Sequence, residues 1–159
     1  MKPIVNLDEV KLDRFGNGGT FEVLDGPVGQ QIGARQIGCS IAVVAPGKRA
    51  FPFHCHHVNE EMVVVLEGSG TVRIGSEEHA IRKGDVIAFP AGGASTAHQI
   101  INTSSAELRY LAFSTMIPTE VVEYPDSKKF AVSVGEDPEK RAFHLRGRLS
   151  PSLDYWDGE

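Results

Sequence analysis

Glu61-Met62-Val63-Val64-Val65-Leu66-Glu67-Gly68-Ser69-Gly70-Thr71-Val72-Arg73-Ile74-Gly75-Ser76-Glu77 is the stretch that decides the fold. Two short runs rich in β-branched residues are separated by Gly68-Ser69-Gly70 and closed by Gly75-Ser76, which is how strands joined by tight turns are written in sequence. The same alternation continues outward in both directions. It predicts strands at Gln36–Ala45, Phe51–His56, Glu61–Glu67, Gly70–Ile74, Glu77–Ile81, Asp85–Phe89, His98–Asn102 and Leu108–Phe113. Pro46-Gly47, Lys83-Gly84-Asp85 and Pro90-Ala91-Gly92-Gly93 supply the remaining hairpins and corners. No amphipathic helix interrupts the series, and eight short strands suit an all-β jelly roll.

On either side the pattern weakens. Residues 1–35 read as an N-terminal arm with one edge strand, packing on a barrel core at 36–117. Residues 118–159 read as an extension of the same domain, with one further strand at Val121–Tyr124 and an irregular tail from Pro125 to Glu159. A length of 159 residues suits one domain. Hydrophobic content of 41% against 23% charged residues lies outside the disordered range, so most of the chain is expected to fold.

The charge balance excludes some partners. A net charge of -5 with scattered Lys and Arg offers no basic stripe for nucleic acid. No apolar run approaches the ~20 residues of a membrane helix, and the start Met1-Lys2-Pro3-Ile4-Val5 lacks the layout of a secretory signal, so no membrane partner and a cytoplasmic location are expected. Cys39 and Cys55 are too few to staple a small secreted fold and are read as free thiols.

Chemistry concentrates in Phe53-His54-Cys55-His56-His57-Val58-Asn59-Glu60-Glu61. Alternate residues of a strand face the same way, so His54 and His56 point together, while Cys55 and His57 point to the other face. Glu61 opens the next strand and can swing its carboxylate in beside the two imidazoles. His98, opening the strand after the Pro90–Ala97 corner, is the candidate fourth ligand. Three His and one Glu suit a divalent transition metal, Zn, Mn, Fe or Ni, better than an all-oxygen calcium site. His79 and His144 are read as ordinary surface or core residues, and Cys55 as structural.

These residues resemble the motifs of the cupin superfamily. The first reads Gly47, six residues, His54-Cys55-His56, four residues, Glu61, six residues, Gly68, one residue longer after the first glycine than the family pattern. The second reads Gly84, five residues, Pro90-Ala91-Gly92, five residues, His98, three residues, Asn102, where the family has two residues before the histidine. The resemblance implies a double-stranded β-helix and a metal held by His54, His56, Glu61 and His98. Ala45-Pro46-Gly47, Glu123-Tyr124-Pro125-Asp126-Ser127-Lys128 and the terminal Tyr155-Trp156-Asp157-Gly158-Glu159 further resemble small cupins labelled sugar-phosphate isomerases, over most of residues 28–159.

That likeness implies a metal-dependent, isomerase-like enzyme acting on a small polar metabolite. An Fe(II)-dependent dioxygenase and a non-enzymatic small-molecule-binding module are the alternatives. Glu60, His57 and Tyr110 are the conceivable general bases, although parity turns His57 away from the metal. Arg73 and Arg109 could grip a phosphate or carboxylate, or lie on a solvated face. Phe51, Phe53 and Cys55 share the parity opposite to the ligands. They are expected to pack on the other sheet's flank or on a second subunit, away from the metal pocket, and cupins of this kind imply a homodimer.

Overall fold

The computed structural model describes residues 2–135, 142–148, 150 and 152–159. Its strands are β1 (Asp13–Gly16), β2 (Glu22–Pro27), β3 (Ile37–Val44), β4 (Cys55–His56), β5 (Glu61–Glu67), β6 (Ser69–Ile74), β7 (Glu77–Arg82), β8 (Val86–Phe89), β9 (His98–Ile101), β10 (Leu108–Thr115), β11 (Thr119–Tyr124), β12 (Lys129–Val134) and β13 (Phe143–Arg148). A single-turn helix, α1 (Gly29–Ile32), lies between β2 and β3. They form a six-stranded sheet β1-β2-β3-β10-β5-β8, a three-stranded sheet β7-β6-β9 and a four-stranded sheet β13-β12-β11-β4. None of the described helices is long and apolar enough to cross a membrane.

Alternation along β5 explains how the barrel fills. Val63 and Val65 are buried and share a face with Glu61, so the strand that supplies the carboxylate also supplies the floor beneath it. Val23, Ala42, Val44, Leu108 and Tyr110 join them from the same sheet, and Val72, Ile81 and Ile100 close the core from the opposite one. The outer face of the large sheet is covered as well. Ile41 points there and packs with Val10 and Val28 of the N-terminal segment, supported by Leu7, Leu12, Leu66 and Leu111.

Two turn positions hold this arrangement. Gly68, between β5 and β6, has φ +79°, and a Cβ there would land on the Glu107 carbonyl oxygen, so both conformation and space demand glycine. Asn102 is fully buried: its Nδ2 donates to the carbonyls of Val44 and Ala106, both at 2.7 Å, and its Oδ1 accepts from the Ser104 backbone N–H at 3.0 Å. The asparagine of the second motif is thus a staple between β3 and the turn before β10.

Four expectations are corrected. The predicted strand Phe51–His56 contracts to Cys55–His56, because Pro52 has no N–H to give a ladder. Strand parity therefore does not reach Phe51, which packs on the barrel core and lines the cavity beside His54. Phe53 and Cys55 are buried with Ala97 within the chain, the first of the two placements expected for them. The irregular tail is, over Lys129–Val134 and Phe143–Arg148, an antiparallel pair built onto β11. The parts of the tail at 136–141, 149 and 151 lie outside the described residues. The N-terminal segment, expected to hold one edge strand, carries two, β1 and β2, paired in register from Asp13↔Asp25 to Gly16↔Glu22.

Candidate metal centre

Three short elements converge on one carboxylate oxygen. His98 Nε2 lies 3.0 Å from Glu61 Oε2, His56 Nε2 3.4 Å and His54 Nε2 3.9 Å. The ligand atoms of His54, Glu61 and His98 all lie within 4.8 Å of one another. His56 reaches Glu61 but stands farther from the other imidazoles, its ring centroid 6.4 Å from that of His98. Ligand atoms at right angles around an ion with bonds of ~2.0–2.2 Å are ~3 Å apart. The spacing therefore fits a single divalent ion after small side-chain adjustments.

The second nitrogen of every imidazole is committed elsewhere. His54 Nδ1 donates to the Pro52 carbonyl at 2.7 Å, His98 Nδ1 faces the Thr96 carbonyl at 3.3 Å, and His56 Nδ1 donates to Glu120 Oε2 at 3.2 Å. Without an ion, His98 Nε2–H donates to Glu61; carbonyl and carboxylate partners that accept from each Nδ1 would leave the Nε2 lone pairs free for a metal. His98 is further oriented by Phe89, whose ring stacks on it at 3.8 Å and 7°. The lengthened corner of the second motif is taken up by a 3-10 turn at Ala94–Thr96, so His98 still pairs with His54 through backbone bonds of 2.7 and 3.2 Å.

The surroundings favour the deprotonated forms of His54 and Glu61. Burial, with the neighbouring His98 and His56, lowers the His54 imidazole to about 4. Burial alone would raise the Glu61 carboxyl, but the hydrogen bond from His98 and the nearby imidazoles of His56 and His54 hold it below its ordinary value. Neutral imidazoles beside an ionised carboxylate are the forms that bind metal.

Glu120 was not anticipated from the sequence. It is buried on β11, and besides His56 it accepts from the backbone N–H groups of Val58, Asn59 and Val121 and from Asn59 Nδ2, at 2.6–3.2 Å. Its own burial would raise its pKa, and the hydrogen bonds from the Asn59 side chain and backbone and from His56 outweigh that and lower it. A carboxylate held this firmly positions His56 from behind.

The centre lies between two chambers. Inside, a cavity of about 60 Å³ is lined by His54, Glu61 and His98 with Phe51, Phe89 and Tyr110. Outside, a cavity of about 640 Å³ includes His56, Glu61, Glu120 and Tyr124 in its lining, together with Arg35, His144 and Arg146. β11 separates its faces accordingly, with Glu120, Val122 and Tyr124 toward this cavity and Glu123 paired opposite Cys55 on the far side.

The other anticipated groups are engaged elsewhere. Tyr110 is fully buried and its phenol is pushed far up by burial, so it stays protonated. His57 binds Glu123 at 2.8 Å, and Glu60 is exposed. Arg73 makes a two-pronged pair with Asp126 at 2.8 and 3.1 Å and lies over the Phe53 ring. Arg109 holds Asp8 and the Leu7 carbonyl of the N-terminal segment. His144, read from the sequence as an ordinary surface or core residue, is exposed and borders the outer cavity together with Arg146.

Residues 40–114 match the family model described as Cupin domain, spanning both histidine-bearing motifs. This segment of the chain is a cupin domain. Its structure is similar to that of a protein from Acidithiobacillus ferrooxidans named provisionally as a sugar phosphate isomerase (TM-score 0.83, 24% identity, 96% of each chain covered). It is also similar to a sugar phosphate isomerase from a cupin superfamily from Silicibacter pomeroyi (TM-score 0.80, 25% identity, 98% of each chain). In sequence this cupin is 32% identical over 133 residues to Auxin-binding protein 1 of Arabidopsis thaliana, an alignment covering 78% of this chain and 65% of that protein's length. The all-β double-stranded β-helix and a His/Glu cluster arranged for a metal are thus features of this cupin.

Proposed function

We propose that this cupin is a metal-dependent enzyme acting on a small anionic polyol of the sugar phosphate class, with His54, His56, Glu61 and His98 holding the ion. The observation that carries the reading is the convergence of three Nδ1-anchored imidazoles on Glu61 at the wall of a cavity of about 640 Å³ that also has Arg35 and Arg146 in its lining. That volume falls within the ~300–1,000 Å³ of small-molecule sites. The name of the Silicibacter pomeroyi protein supports the same substrate class. A divalent ion bound there supplies Lewis acidity toward a substrate oxygen.

The chain's own residues do the rest. Arg35 and Arg146 offer planar cationic forks suited to a phosphate. His144 and Tyr124 are the described lining groups that can carry a proton and lie outside the ligand and anchor set. Purified protein reconstituted with Mn, Fe, Ni or Zn is to be offered aldose and ketose phosphates beside the unphosphorylated sugars. Interconversion of the phosphorylated substrates, with KM raised at least tenfold by Arg146→Met, is the expected result. Equal handling of free sugars would remove the phosphate from the proposal.

Binding without turnover is the second reading, and the likeness to Auxin-binding protein 1 supports it. Saturable binding of a small anion by the metal-loaded protein, with the ligand recovered unchanged, would favour it over the enzyme.

A further inference from the structure

The segment around β4 that turns His54 and His56 toward the candidate metal centre turns Cys55 and His57 to its other side, where β11 meets them with Glu123. Cys55 is paired with Glu123 across the ladder, and the His57 N–H donates to the Val121 carbonyl at 2.9 Å, so the backbone fixes all three positions. Cys55 Sγ lies 3.9 Å from Glu123 Oε2 and His57 Nε2 lies 2.8 Å from the same oxygen. The three ligand atoms all fall within 4.8 Å of one another. Ligand atoms arranged tetrahedrally around zinc, with bonds of ~2.0–2.3 Å, stand ~3.3–3.6 Å apart, so the two separations from Glu123 change by about half an ångström or less and the sulfur–imidazole separation closes by about 1.2 Å at most.

The geometry points to a second metal site, formed by Cys55, His57 and Glu123, that takes a thiophilic divalent ion of the zinc class and leaves a fourth position to water. Thiolate and carboxylate together cancel the charge of the ion, and a sulfur ligand selects a softer metal than the oxygen and nitrogen set of the first centre. As the ion binds, the Cys55 thiol proton is released to solvent. Cys55 is buried beside Phe53 and Ala97, whereas the His57 side chain is 38% and the Glu123 side chain 26% exposed, so the ion enters from the His57 side.

Cobalt(II) separates this site from the first, because sulfur bound to cobalt gives a near-ultraviolet charge-transfer band that imidazole and carboxylate ligands do not. Full-length protein, kept reduced by a phosphine, is to be titrated with cobalt(II) alone. Two equivalents should bind, one of them with that band. Cys55→Ser should lose the band and retain one equivalent, and His57→Ala should weaken the band-forming step at least tenfold, with circular dichroism unchanged in both. Glu61→Gln should keep the band, so the second site stands or falls apart from the proposed enzyme. Absence of the band in folded wild-type protein, or its survival in Cys55→Ser, where Cys39 is the remaining thiol, would overturn the assignment.

Discussion

Replacing Glu120 by Gln tests whether the buried carboxylate behind His56 sets the metal affinity of the centre. It receives five hydrogen bonds: on one oxygen from His56 Nδ1, the Asn59 N–H and Asn59 Nδ2, on the other from the N–H groups of Val58 and Val121. An amide keeps one acceptor oxygen and turns the other into a donor. Whichever way it sits, at least two donors face an N–H₂ group, and at ~1–2 kcal/mol for each orphaned donor the fold should lose about 2–4 kcal/mol. The imidazole loses its anionic anchor as well. Loss of such an outer partner costs ~10–100-fold in metal affinity, equivalent to about 1.4–2.8 kcal/mol. Competition against a chelator of known strength gives the affinity, urea denaturation gives the stability, and His56→Ala serves as the reference. Affinity within twofold of wild type in Glu120→Gln, alongside a large loss in His56→Ala, would refute the positioning argument.

Glu61→Gln and His54→Ala should each abolish stoichiometric metal in elemental analysis while the circular dichroism of the barrel is retained, and metal retained by both variants would show that the ion binds elsewhere. The chelator-treated protein should lose stability as pH falls from about 6.5 to about 4, because the unfolded His54 takes up a proton that the folded one, lowered to about 4, resists. The loss, read from denaturant midpoints at several pH values, is on the order of 3 kcal/mol, and a flat profile over that window would contradict the burial argument. Asn102→Ala should cost about 2–4 kcal/mol, since it leaves the Val44 and Ala106 carbonyls and the Ser104 N–H without their partner, yet leave metal affinity unchanged.

The barrel and the ligand face were legible because both rest on local alternation. β5 begins and ends where its apolar run does, at Glu61 and Glu67, and the separation of His54 and His56 from Cys55 and His57 follows from the same period of two. Glu120 escaped notice because its meaning lies in a partner 64 residues away, and nothing near it in the chain signals that contact. Phe51 was misjudged where a period was carried through a proline. β13 had the alternation, Phe143 and Leu145 against His144 and Arg146, but without an inner face. All four residues are exposed, so a reading that expects apolar residues inside finds no strand there.

The placement of β12 and β13 separates two jobs along the chain. The ligands and their floor lie within residues 40–114, whereas Ala131, Ser133, His144 and Arg146, on the rim of the outer cavity, come from a hairpin beyond that span. Under the proposed function, metal ligation and substrate selection would draw largely on different segments, with Glu120 of β11 linking the two. A chain could vary the outer face of this hairpin, change what enters, and keep the candidate metal centre intact.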